Sequence, residues 1–214
     1  MTNNVNIITP FGPRIAKLKI SKNLINKINK EIDTIVDNQN LSKKFDYSKE
    51  LVGQVSQELK LPKTFINKYL KSFLFKITKN YIEKSLKKKI TIFKIKNVWV
   101  VRQFENEYNP IHYHSGHISG AGFLKVPSSL GSHTQKSKTD QMNYLGGNLQ
   151  LINGSKMFLS PSTINIEPKI GEMYFFPAYL MHCVYPFKNS NEERRSISFN
   201  ASIDENIFNV YGKS

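Results

Sequence analysis

A chain of 214 residues, 39% hydrophobic and 22% charged, has the composition of an ordinary soluble protein; it is long enough to bury one substantial core and offers no Pro/Gly/Ser-rich linker at which to divide it. Its most apolar stretch, 173–181, is far too short to span a bilayer. The formal charge of +15 raises nucleic acid as a partner, but only four of the 31 basic residues are arginine, and the chain has neither a C2H2 zinc-finger pattern nor an RNP motif, so lysine-covered helix faces account for the charge and nucleic acid is not favoured.

The start, MTNNVNIITPFG, lacks a charged segment followed by a continuous apolar run, and the single cysteine, Cys183, has no intrachain partner; both predict a reducing cytoplasm. Residues 13–20 alternate apolar and basic positions, as a half-buried strand does, and Ser21 is placed to cap a helix. Leu24, Ile25, Ile28, Ile32, Ile35 and Val36 then recur at helical spacing until Asp37-Asn38 breaks the pattern. A longer helix is predicted from Thr64 to about Lys88, with Ile66, Tyr69, Leu70, Phe73, Ile77, Tyr81 and Ile82 on one stripe.

From Lys89 the character changes. ITIFKIKNVWVVRQF is dense in β-branched and aromatic residues, and short runs separated by turn residues follow it. The expectation is a single domain over 1–214, with 1–88 as helical N-terminal support and 89–214 as an antiparallel β barrel of seven or more strands. The Asn153-Gly154 pair between LQLI and SKMFL predicts a tight hairpin; 127–143 reads as a less patterned insertion, and 1–10 as partly disordered.

The five histidines are unevenly spread: His112, His114 and His117 fall in NPIHYHSGH, with His133 and His182 elsewhere. On a strand, residues two apart point to one side, so His112 and His114 form a chelating pair and Tyr113 turns away. His182, between GEMYFFPAYLM and CVYPF, can supply a remote third ligand and leave an open face on the metal. His117, three residues from His114, falls on the opposite face and is expected to support the ligands from behind and not to ligate; His133, among Ser, Gln and Lys, reads as an ordinary surface histidine.

In order along the chain, NPIHYHSGHISGAGFLKVP, GGNLQLI, GEMYFFPAYLMHCVYPF and ERRSISFN resemble the iron(II)/2-oxoglutarate oxygenases, in particular the branch found in bacteria and phages, over about Val98 to Ser202. The resemblance implies a double-stranded β-helix (jelly-roll, cupin-like) barrel, Fe(II) as metal and 2-oxoglutarate as cosubstrate. It also implies a hydroxylation of an unknown substrate, small or macromolecular, that releases succinate and CO2. It makes His112 the first ligand, His182 the distal ligand, and Arg194 with Ser196 the holders of the cosubstrate's far carboxylate. Arginine's fixed fork pairs with a carboxylate bidentately, and a serine two residues on shares its strand face. Arg195, Ile197, Phe199, Ala201 and Ile203 are then expected against the helices, and Arg194, Ser196, Ser198 and Asn200 toward the barrel mouth, although any half-exposed strand alternates in this way.

The chain departs from the family pattern at one point, because His114 stands where a carboxylate ligand is usual and no acid follows until Asp140. His114 can replace the carboxylate, giving His112, His114 and His182 as an all-imidazole set; it can be the first ligand itself, with Gly116 leaving a position open; or Asp140 can swing in. Imidazoles also suit zinc, so a cupin-like or zinc three-histidine enzyme stays open, as does a non-catalytic basic binding or structural protein. The substrate-reading residues are expected in 127–143 and near Tyr108.

Overall fold

Ser21 caps the first helix as its sequence context predicts: its hydroxyl accepts from the Leu24 amide, and α1 (Lys22–Val36) buries Ile25, Ile28, Ile32 and Ile35. The computed structural model describes residues 12–132 and 144–209. After α1 comes the short α2 (Gln39–Phe45), capped by Asn38. The next helix is continuous but irregular. It starts as one turn, α3 (Lys63–Phe65), passes through a π turn over Ile66–Leu70 and becomes α4 (Lys71–Leu86). The extra residue of the π turn rotates the buried stripe, so that Leu74 and Thr78 join Leu70, Tyr81 and Ile82 inside while Phe73 and Ile77 are only half-buried.

The strands form two antiparallel sheets. The six-stranded sheet runs β1 (Ala16–Lys19), β8 (Glu172–Pro177), β5 (Ile118–Lys125), β10 (Arg194–Ile203), β3 (Phe93–Gln103) and β2 (Gln57–Lys60). The four-stranded sheet runs β4 (Asn109–His112), β9 (Met181–Val184), β6 (Leu149–Ile152) and β7 (Thr163–Ile166). The long β3 and β10 pair along most of their length, which makes them the spine of the larger sheet. Two of its strands, β1 and β2, come from the N-terminal part, so that part contributes sheet as well as helical support.

The alternation of β10 decides what each sheet face meets. Ile197, Phe199, Ala201 and Ile203 pack with α1 and α4 residues in one buried cluster. The intervening residues turn toward the smaller sheet, where Phe123, Leu149, Leu151, Phe176 and Leu180 form a second cluster. Arg195 shares the helix-facing side without being apolar. It is 1% exposed, donates to Glu193 at 2.6 Å and to Asp33 of α1 at 2.7 Å, and so ties strand to helix. Arg102 donates to the same Glu193 at 2.9 Å.

The tight hairpin expected at Asn153-Gly154 is not the one that forms. β6 does pair with its successor, but the returning strand is TINI, Thr163–Ile166, after a ten-residue connection closed by Asn153 N donating to Ser162 O. The segment taken for the second strand makes only a local bridge, Met157 to Ser160, and leaves Phe158 93% exposed with Leu159 at positive φ. The β-branched TINI meets both faces of a sheet edge better than the flexible SKMFL does. The expectations for 1–10, for His133 and Asp140, and for most of 127–143 lie outside the described residues. Among the described residues no helix is long and apolar enough to cross a membrane.

Candidate metal centre

The register of β4 and β9 sets His112 directly opposite His182. His114 lies just past the end of β4, where its amide donates to Ala178 O at 2.9 Å. The turn that follows needs Gly116 at φ +105°, and an added Cβ there would stand 3.0 Å from Ala201 O, so this glycine serves the backbone. One ligand nitrogen from each of His112, His114 and His182 lies within 4.8 Å of the others, and no further His, Cys, Asp or Glu among the described residues joins the group.

Hydrogen bonds orient the rings. Nδ1 of His112 meets Pro110 O at 2.7 Å and Nδ1 of His182 meets Leu180 O at 2.9 Å. A carbonyl can only accept, so each Nδ1 carries the proton and each Nε2 presents a lone pair to the centre. Trp99 stands edge-on to His114 at 5.3 Å, and Phe176 edge-on to His182 at 5.1 Å, which limits ring rotation. Nε2 of His114 and Nε2 of His182 are 3.1 Å apart. Two nitrogens about 2.1 Å from one ion and at right angles to each other would be about 3.0 Å apart, so the spacing fits adjacent ligands of a single metal.

Burial, and then the neighbouring imidazoles, push His114 down to about 3; burial and His112 push His182 down to about 4. His112 is also lowered by burial, against the pull of the Pro110 carbonyl. At neutral pH the three rings are therefore neutral, the form that ligates.

Across the cavity, Arg194 is 1% exposed, and its Nε donates to Gly147 O at 2.9 Å. Gly147 sits at φ +70°, which accounts for a glycine in the Gly146-Gly147 turn that aims this carbonyl. The guanidinium lies over the Phe123 ring at 5.2 Å, and no carboxylate among the described residues pairs with it. Burial lowers it to about 10, so it stays charged. Ser196 and Ser198 line the same cavity on the same strand face. A buried guanidinium without a counterion is a receptor for an anion.

His117 stands apart from this group: its Nδ1 accepts from Ile203 N at 3.0 Å and its ring stacks on Phe208. Asn200 is also taken up structurally, accepting from Ser119 at 2.6 Å. One cavity residue carries no signal in the sequence. Glu58, on the four-residue β2, looks like a solvent-facing edge position but is 1% exposed and lines the cavity.

Residues 97–200 match the family described as "Putative 2OG-Fe(II) oxygenase". No curated protein sequence matches the chain. Among solved structures, the viral collagen prolyl hydroxylase of Paramecium bursaria Chlorella virus-1 is similar at 16% identity and a TM-score of 0.53, over 87% of this chain and 94% of that one. A Pseudomonas putida prolyl-4-hydroxylase is similar at 13% identity and a TM-score of 0.55, over 88% and 91%. A Trichoplax adhaerens prolyl hydroxylase in complex with a hypoxia inducible factor peptide fragment is similar at 10% identity and a TM-score of 0.54, over 94% and 87%. At these identities the structural likeness establishes the jelly-roll fold.

Proposed function

We propose, from the premise that residues 97–200 carry the 2OG-Fe(II) oxygenase domain, that the chain is an Fe(II)- and 2-oxoglutarate-dependent dioxygenase that hydroxylates a substrate C–H bond. The observation that carries the reading is one cavity holding two complementary devices, three converging neutral imidazoles and a buried, carboxylate-free arginine. The donor set fits a divalent transition metal, and the arginine fits a dicarboxylate whose other end lies at that metal. When bound there, iron with 2-oxoglutarate and oxygen supplies the oxidation of a substrate C–H to C–OH, with succinate and CO2 as co-products.

In this reading His112, His114 and His182 hold the metal, with His114 in the place usual for a carboxylate. Pro110 O and Leu180 O keep the Nε2 lone pairs of His112 and His182 inward. Arg194, positioned by Gly147 O, holds the cosubstrate's far carboxylate by charge-assisted hydrogen bonds, and Ser196 adds a hydroxyl on the same face. The apolar walls at Phe123, Leu149 and Phe176 exclude water around them. All three similar structures are prolyl hydroxylases by name and one of them was solved with a peptide fragment, so peptides are first among substrates to try. Three neutral ligands are also the one observation that favours zinc.

The test is succinate formation from 2-oxoglutarate in air, with Fe(II) or Zn(II) added to metal-free protein. The reading requires iron-dependent succinate that is lost in His182→Ala, and in Arg194→Lys a KM for 2-oxoglutarate raised more than kcat is lowered. Iron-independent or absent succinate, with tight zinc, would favour the hydrolytic reading.

A further inference from the structure

The cavity has an end that neither the histidines nor Arg194 uses. Across the six-stranded sheet, Glu58 of β2, Val101 of β3, Ser196 of β10 and Phe123 of β5 stand in one register row. Arg194 lies one row along, opposite Gln103. Two strand spacings and one two-residue step separate Glu58 from Arg194, about 12 Å on the same sheet face. One cavity is therefore lined by a buried guanidinium, by the three imidazoles and by a buried carboxylate.

Glu58 is 1% exposed, and its Oε2 has no hydrogen-bond partner. Among the described residues no Lys, Arg or His forms an ion pair with it. The chain closes tightly over the carboxylate, since a Cβ added to Gly53 would stand 2.9 Å from Oε2 and 3.0 Å from Oδ1 of Asn109. The neighbours on its sheet face, Trp99 and Val101, are apolar and buried. Burying a carboxylate here with no cation beside it, and with Asn109 as its one side-chain hydrogen-bond partner, is costly. Glu58 also lies outside the cluster of ligand atoms that fits a metal, so it does not replace the missing carboxylate ligand. A single orphaned oxygen matches a compact ammonium better than the two-pronged fork of a guanidinium.

We propose that Glu58 is the substrate-recognising carboxylate of this cavity and that the substrate presents an alkylammonium group to it. Arg194 and Glu58 then sort two ligands by charge within the cavity that the metal-binding histidines also line, an anion at the arginine and a cation at the glutamate. The inference rests on the oxygenase reading for the identity of the anion and for the chemistry at the metal.

Trp99 lines the cavity and is the chain's one tryptophan, so its indole N–H reports occupancy directly. The experiment follows that signal by NMR in protein loaded with Zn(II) and 2-oxoglutarate, which cannot turn over, during titration with n-butylammonium and, separately, with 1-butanol. The expected result is a saturable shift with n-butylammonium, no saturation with 1-butanol over the same range, and binding weakened about tenfold or more in Glu58→Gln. Equal binding of n-butylammonium by wild type and Glu58→Gln, or no saturation in wild type while 2-oxoglutarate still shifts the indole, overturns the assignment and leaves the oxygenase reading intact. Glu58-dependent ammonium binding in protein that fails to bind 2-oxoglutarate supports the assignment and removes the oxygenase reading.

Discussion

Replacing Glu58 by glutamine is expected to stabilise the metal-free protein, and to do so more as the pH rises. Burial, followed by the nearby Asp46 charge and opposed only by Asn109, raises the Glu58 carboxyl from 4.5 to about 7. The folded state therefore holds this proton more tightly than the unfolded chain does. The group costs nothing at a pH below its unfolded value, and its cost grows as the pH rises and levels off above its folded value. A displacement of about 2.5 pH units corresponds to about 3 kcal/mol at pH 8 and about 1 kcal/mol at pH 5. Glutamine has the same shape and does not titrate, so the advantage of Glu58→Gln over wild type should widen by about 2 kcal/mol between those two pH values. Urea denaturation of chelator-treated protein reads this directly, as a midpoint difference growing by roughly 1 M if m is about 2 kcal/mol/M. A constant difference, or a variant less stable than wild type at pH 8, would show that the carboxylate is satisfied in the folded state and would refute the reasoning.

Two further outcomes follow from the same structure. His114 and His182 lie near 3 and 4 when folded, below the ordinary 6.5, so their contribution is complete above 6.5 and is lost progressively as the pH falls from there through the folded values. Metal-free protein should lose about 4 kcal/mol between pH 7 and pH 5, roughly 2 from each ring, and the rise in Tm produced by Zn(II) at pH 7.5 should vanish over the same range and in His182→Ala. Arg195→Ala removes the buried guanidinium shared by Glu193 and the half-exposed Asp33, which keep Lys125 and, at Glu193, Arg102, and should cost about 1–2 kcal/mol in urea denaturation, with Arg195→Lys recovering only part because an ammonium cannot bridge both carboxylates.

The features legible in the sequence are those whose periodicity matches their surroundings. Arg194 with Ser196 parts from Ile197 and Phe199 because a strand repeats every two residues, whereas His114, just past the end of β4, joins His112 through the backbone hydrogen bond of its amide to Ala178 O. Ser21 and the isoleucine stripe of α1 are equally local signals. What stayed hidden depends on contacts distant in sequence. β2 is only four residues long, and QELK reads as a polar edge until β3 and the chain around Gly53 bury Glu58. Arg195 breaks an apolar face for a salt-bridge partner on α1, more than 160 positions away. The π turn at Ile66–Leu70 changes the phase of a helix whose composition shows no breaker, and the Asn-Gly signal at 153–154 opens a long connection because its strand partner lies further on.

The central claim is that the three histidines hold iron while Arg194 holds 2-oxoglutarate in the same cavity. Anaerobic titration of metal-free protein with Fe(II) and then 2-oxoglutarate, followed by visible absorption, tests both halves at once. A new band is expected when both are present, absent in His182→Ala and weakened in Arg194→Ala with the metal still bound. No band in wild type, or a band indifferent to both substitutions, would contradict it.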